Sequence, residues 1–192
     1  MNAFVDRGAR TAAWVGVGMA VTIAISFLLV IPIEPVYWYL ALPAGLLIGY
    51  YANQRSDRGG GPILRIIANG VWAGLITAVI YAALLLGVKA LFFVADDGYR
   101  DASAGGRISC TQGADCVYRR YLADGRGDEL RSVGVTDAGT FGSFYWSQQL
   151  STAGLVLGLT LAGGVGGAAI FAATNRRRST GAGAEAAPTA AR

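Results

Sequence analysis

Cys110 and Cys116 are the only two cysteines in the chain, separated by Thr-Gln-Gly-Ala-Asp. Such a pair offers two chemistries. Outside the cytoplasm it closes a small structural disulfide. With a lowered thiol pKa and a second dithiol to relay electrons, it would exchange disulfides. The chain has no second pair and no C-x-x-C, so the spacing favours the staple. Its ring is short, and the chain-entropy contribution is about 2–3 kcal/mol. The spacing predicts a β-hairpin, with Arg107-Ile108-Ser109-Cys110 paired to Cys116-Val117-Tyr118. The bond would pin a loop too small to build its own core.

Other reactive constellations fail on composition. Histidine is absent and methionine occurs only as Met1 and Met19, which removes the common haem and zinc ligands and the usual general base near neutral pH. The acids of Asp124-Gly-Arg-Gly-Asp128-Glu129 lack the order of a calcium loop, and a solvated turn is expected there. Arg126-Gly127-Asp128 spells an integrin-binding tripeptide, a match short enough to arise by chance. Gly163-Gly164-Val165-Gly166-Gly167 follows no strand and lacks the P-loop lysine, so it is not a phosphate loop. Arg178-Ser179-Thr180 reads as part of a stop-transfer anchor. No catalytic, cofactor-binding or metal-ligating residue is assigned, and no cofactor is expected.

The elements that must position these residues follow from where charge is missing. Hydrophobic residues make up 54% of the chain and charged residues 15%, too few for a typical soluble domain. No Asp, Glu, Lys or Arg occurs within residues 11–33, 35–54, 66–88 or 138–175. About 20 helical residues cross a bilayer core about 30 Å thick, so each gap holds a span. The expectation is an all-α integral membrane protein, a four-transmembrane-helix bundle. Its spans are residues 11–33, 35–52, 63–92 and 149–173. A ten-residue N-terminal segment precedes them, residues 53–62 form a short polar turn, and residues 96–144 form a long loop between spans three and four. Residues 176–192 read as a disordered tail. The first span is too long for a signal-peptide core and lacks an A-x-A site, so it is expected to remain uncleaved.

Arg7, Arg10, Arg55, Arg58, Arg65 and Arg176–Arg178 fall on one side, and the short first loop carries only Glu34. The positive-inside rule makes that side cytoplasmic, with both termini there and the long loop outside a cell membrane. Six arginines in the long loop weigh against this, but they are offset by eight acids and mostly lie far from the span ends. Membrane insertion also explains the formal charge of +4 without nucleic acid. Fifteen arginines against one lysine, with abundant alanine, match a GC-rich bacterial genome.

Lipid is as apolar as leucine, so spans associate by close approach of small residues. Each span offers a ridge at four-residue spacing. The first has Ala12, Gly16, Ala20 and Ala24; the second Ala41, Gly45 and Gly49. The third has Gly70, Gly74, Ala78 and Ala82; the fourth Gly154, Gly158, Ala162 and Gly166. These glycines are the predicted packing residues, and one ridge could pair two copies. Thr22, Ser26, Asn69, Thr77 and Thr160 are the polar residues within spans, expected to bond backbone or a neighbouring helix.

The layout resembles that of tetraspanins in topology alone, because the Cys-Cys-Gly motif of their loop is missing. It resembles four-helix membrane thiol oxidases only in carrying loop cysteines. The functional expectation is a non-catalytic scaffold or accessory subunit whose outer loop contacts a protein partner or the envelope. The alternatives are a small oligomeric transporter or channel component and, behind it, a thiol oxidoreductase.

Overall fold

The computed structural model of the protein describes residues 6–29, 34–56, 61–95 and 110–185. Residues 107–109, half of the expected hairpin, lie outside them, as do residues 186–192 of the tail. The described residues form six helices and no strand: α1 (Arg7–Leu29), α2 (Glu34–Gln54), α3 (Ile63–Ala95), α4 (Ala114–Ala123), α5 (Gly127–Ser132) and α6 (Ala138–Glu185). Cys116, Val117 and Tyr118 therefore belong to a helix where a strand was expected. α6 has 48 residues, beginning well before the expected span and continuing past Arg178 to Glu185. Arg176–Arg178, Ala182 and Ala184 favour that continuation, while Gly181 and Gly183 oppose it.

Three helices contain stretches long and apolar enough to cross a membrane: Arg7–Ser26, Ile63–Val94 and Ala138–Asn175. This marks the chain as a membrane protein. α2 is less apolar because two prolines and five aromatic residues of mixed polarity (Tyr37, Trp38, Tyr39, Tyr50, Tyr51) share its length. It continues unbroken through Pro43.

The chain divides into two units, Met1–Ala82 with Leu155–Arg192, and Ala83–Gly154, so α3 and α6 supply residues to both. In the first unit the helices meet backbone to backbone. A Cβ on Gly45 would collide with the carbonyl of Thr160, and one on Gly49 with the carbonyl of Gly164. One on Gly70 would stand 2.6 Å from that same carbonyl. α2 thus runs parallel to α6, and α3 runs antiparallel to it. α1 closes on α2 and α3, with Gly8 against the backbone of Arg55 and Ser56, and Gly16 against Thr77. Ala9, Ala12, Ile48, Ala52 and Ala73 form the small-residue core. Beyond the buried Tyr81, Ile48 and Val156, many large apolar side chains face outward: Trp14 and Leu64 are 77% exposed and Tyr39 76%. That inversion suits lipid, which does not drive apolar groups inward.

The second unit contradicts the expectation of a coreless loop. Leu130, Val135, Phe141 and Tyr145 are buried together, with Phe93, Val117, Tyr118, Tyr121, Phe144 and Trp146 packed around them.

Candidate functional site

Residues 110–137 and the flanking ends of α3 and α6 make up the loop module, and its turns are well specified. α4 and α5 each end in a Schellman motif. Gly125, at φ 77°, lets the Arg126 N–H donate to the Tyr121 carbonyl at 3.0 Å. Gly134, at φ 80°, lets the Val135 N–H donate to the Leu130 carbonyl at 2.9 Å. The second motif also brings Val135 against Leu130 in the core. The start of α6 is capped by Asp137, whose carboxylate accepts the Thr140 N–H at 2.8 Å. Gly125 and Gly134 are the sequence signal of two helices, where the cysteine spacing alone suggests a hairpin.

Cys110 and Cys116 are disulfide-bonded, tying the entry of this loop module to α4 through its buried Cys116. Asp115, beside Cys116, accepts the Thr111 N–H and pairs with Arg119, both at 2.8 Å. The aromatic core is continuous. Phe93 lies 4.9 Å from Tyr145 and 5.4 Å from Trp146 between ring centroids, and Tyr121 lies 5.1 Å from Phe141. The Tyr118 hydroxyl donates to the Thr136 carbonyl at 2.9 Å.

Among the described residues, the four arginines of α4, α5 and their turns pair with carboxylates of the module itself. Arg120 pairs with Asp124, Arg126 with Glu129 and Arg131 with Asp128. Arg126 makes two 2.9 Å bonds to Glu129 and lies 4.2 Å from the Tyr121 ring centroid. Its hydrogen bonding to Glu129 holds the guanidinium above, and the carboxylate below, their ordinary pKa values. The Arg126-Gly127-Asp128 tripeptide therefore has both charged ends engaged. Asp124, Asp128 and Glu129 each face an arginine and not one another. Among the described residues no group of three His, Cys, Asp or Glu side chains stands ready for a metal.

The helix-packing residues divide. Gly16, Gly45, Gly49 and Gly70 are at tight crossings, and a Cβ on Gly74 would stand 3.2 Å from the Gly164 Cα. On α6 the contact is made by Gly163, Gly164 and Gly167; nothing stands within 4 Å of a Cβ on Gly154 or Gly158, and Gly166 meets only the Leu46 side chain. Thr77 and Thr160 are buried and donate to the carbonyls of Ala73 and Val156, one turn back.

One polar cluster has no counterpart in the sequence pattern. Asp6 accepts hydrogen bonds from Ser56 and from the Asn69 amide, the latter at 2.9 Å. Asn53 donates to the carbonyls of Gly49 and Ile66, each at 3.0 Å. Asn53 and Asn69 are buried, and the cluster joins the start of α1, the end of α2 and the start of α3. Residues so far apart in sequence carry no common motif, and of them only Asn69 stands out as a polar residue within a span. Burial raises the Asp6 pKa, but the bonds from Ser56, Ala9, Asn69 and Gly8 prevail and hold it below its ordinary value.

No family model, no curated protein and no solved structure matches this chain. The chemistry of the site itself is what remains to indicate a function.

Proposed function

We propose that this is a non-catalytic, four-span membrane protein with cytoplasmic termini, and that its loop module binds a protein partner on the opposite side. The observation that carries the reading is the module's own aromatic core. A connection between two helices needs only a few residues, yet residues 110–137 of this one are folded, capped and stapled. Its paired charges and its exposed Leu122 and Val133 are available for contact. In support of a fourth span, α2 follows α6 from Leu42 beside Gly163 to Tyr50 beside Phe171.

Two measurements test this. Reporter fusions after Arg65 and Arg178 should read cytoplasmic, and one at Gly125 external; a cytoplasmic signal at Gly125 overturns the orientation. A photo-crosslinker at Val133 should give one discrete protein adduct in cells, lost when Leu122 is changed to Asp. Absence of any adduct removes the partner. A second copy is a competing occupant for α6, because the exposed Gly154, Gly158 and Ala162 leave room for close helix approach.

A further inference from the structure

The arginines of the two units are treated differently. In the loop module Arg119, Arg120, Arg126 and Arg131 all have carboxylate partners. At one end of the helix bundle Arg7, Arg10, Arg55 and Arg65 have none among the described residues. The polar cluster holds these four together. Arg7 follows Asp6, Arg55 precedes the Ser56 that donates to Asp6, and Arg65 lies one turn before Asn69 on α3. Gly8 rests on the backbone of Arg55 and Ser56, so close that a Cβ there would stand 2.6 Å from it, which keeps the first two arginines beside the third. Arg55 is further oriented by the Tyr51 hydroxyl at 3.1 Å. The one described carboxylate here, Asp6, is engaged by Ser56, Asn69 and the N–H groups of Ala9 and Gly8. It faces inward to the helices, and a positive excess remains outside.

We infer that this end of the bundle is a binding surface for anionic phospholipid headgroups. The inference rests on the reading that α1 and α3 cross a membrane. Arg7 opens one apolar stretch and Arg65 lies in the first turn of another, so their guanidinium groups come to the depth of the lipid phosphates. Arginine's planar fork matches a phosphate bidentately. Basic groups immediately flanking a span attract anionic lipid in this way. A free phosphate ion lacks the acyl chains that would hold it beside Trp14 and Leu64, both outward-facing and apolar.

The test is native mass spectrometry of the full chain released from a neutral detergent, offered dioleoyl phosphatidylglycerol and dioleoyl phosphatidylcholine in equal amounts. The anionic lipid should be retained preferentially, with the preference falling roughly fivefold for each arginine removed. The variant Arg7→Gln/Arg10→Gln/Arg55→Gln/Arg65→Gln should show none. The corresponding quadruple lysine variant should keep most of it, which separates lost charge from lost fold. Arg119→Gln in the loop module should change nothing. Equal retention of both lipids by the wild type overturns the inference, as does a preference that survives the quadruple glutamine variant. Displacement of the lipid by millimolar inorganic phosphate overturns the lipid assignment. A chain soluble without detergent would instead defeat the membrane-spanning reading.

Discussion

The helix bundle and the loop module reach close packing by opposite means. The bundle uses the absence of side chains: Gly45, Gly49, Gly70 and Gly164 let carbonyl oxygens of one helix approach the Cα atoms of another. The module uses large side chains, with Phe141 fully buried among tyrosines and phenylalanines. The solvent explains the contrast. In water, aromatic burial drives folding. In lipid it drives nothing, and van der Waals contact with hydrogen bonding between helices must serve. Among the described residues the arginines follow the same division, paired with acids in the module and without a carboxylate partner at the end of the bundle.

The comparison is broken most severely by filling a crossing. A Cβ on Gly164 would stand 2.8 Å from the Gly70 carbonyl oxygen and 3.1 Å from the Gly74 Cα, so Gly164→Leu should prevent the bundle from closing. Loss of the cooperative thermal transition in detergent would show it. Gly158→Leu, on an open face, should leave the melting temperature nearly unchanged, and equal damage from both would mean the crossing is not where the glycines place it.

Next in size is Phe141→Ala, expected to cost about 3–5 kcal/mol as a buried aromatic deletion. Hydrogen exchange should rise in α4 and α5 while α1 and α2 stay protected. Uniform loss of protection would show that the two regions do not melt separately.

Replacing Cys110 and Cys116 with serine should cost the module about 2 kcal/mol and leave the apolar helices inserted. Mass-tagged maleimide applied before reduction should add nothing to wild-type protein taken directly from cells, and two tags after reduction.

Acid should produce the smallest effect. Asp115 is held below its ordinary value by Arg119, and Asp137 by the Thr140 N–H, as Glu129 is by Arg126. A carboxylate whose folded pKa is depressed contributes stability above its unfolded pKa and loses it as pH falls through the folded value. The module should therefore loosen below about pH 4. In the bundle only Asp6 among the described residues is lowered in this way. Exchange at pH 3 should increase across α4 to the start of α6 and, in the bundle, only near the start of α1.

Much of the fold is legible in one dimension because membrane helices are written as long gaps in charge. Arg10, Arg65 and Asp137 stand close to helix starts, and Cys110 and Cys116 announce their bond by being the only two candidates. Helix ends in the loop are also legible, in Gly125 and Gly134, once C-caps are weighed before hairpins. Tertiary structure alone decided the face of α6. Glycine recurs there in several registers, at Gly154, Gly158 and Gly166 as well as at Gly163, Gly164 and Gly167, and spacing cannot rank them when lipid rewards no particular side. It also decided the meeting of Asp6, Asn53, Ser56 and Asn69. Those residues lie on or just beyond the ends of three helices and share no period, and only the close approach allowed by glycine and alanine between those helices brings their polar atoms within hydrogen-bond reach.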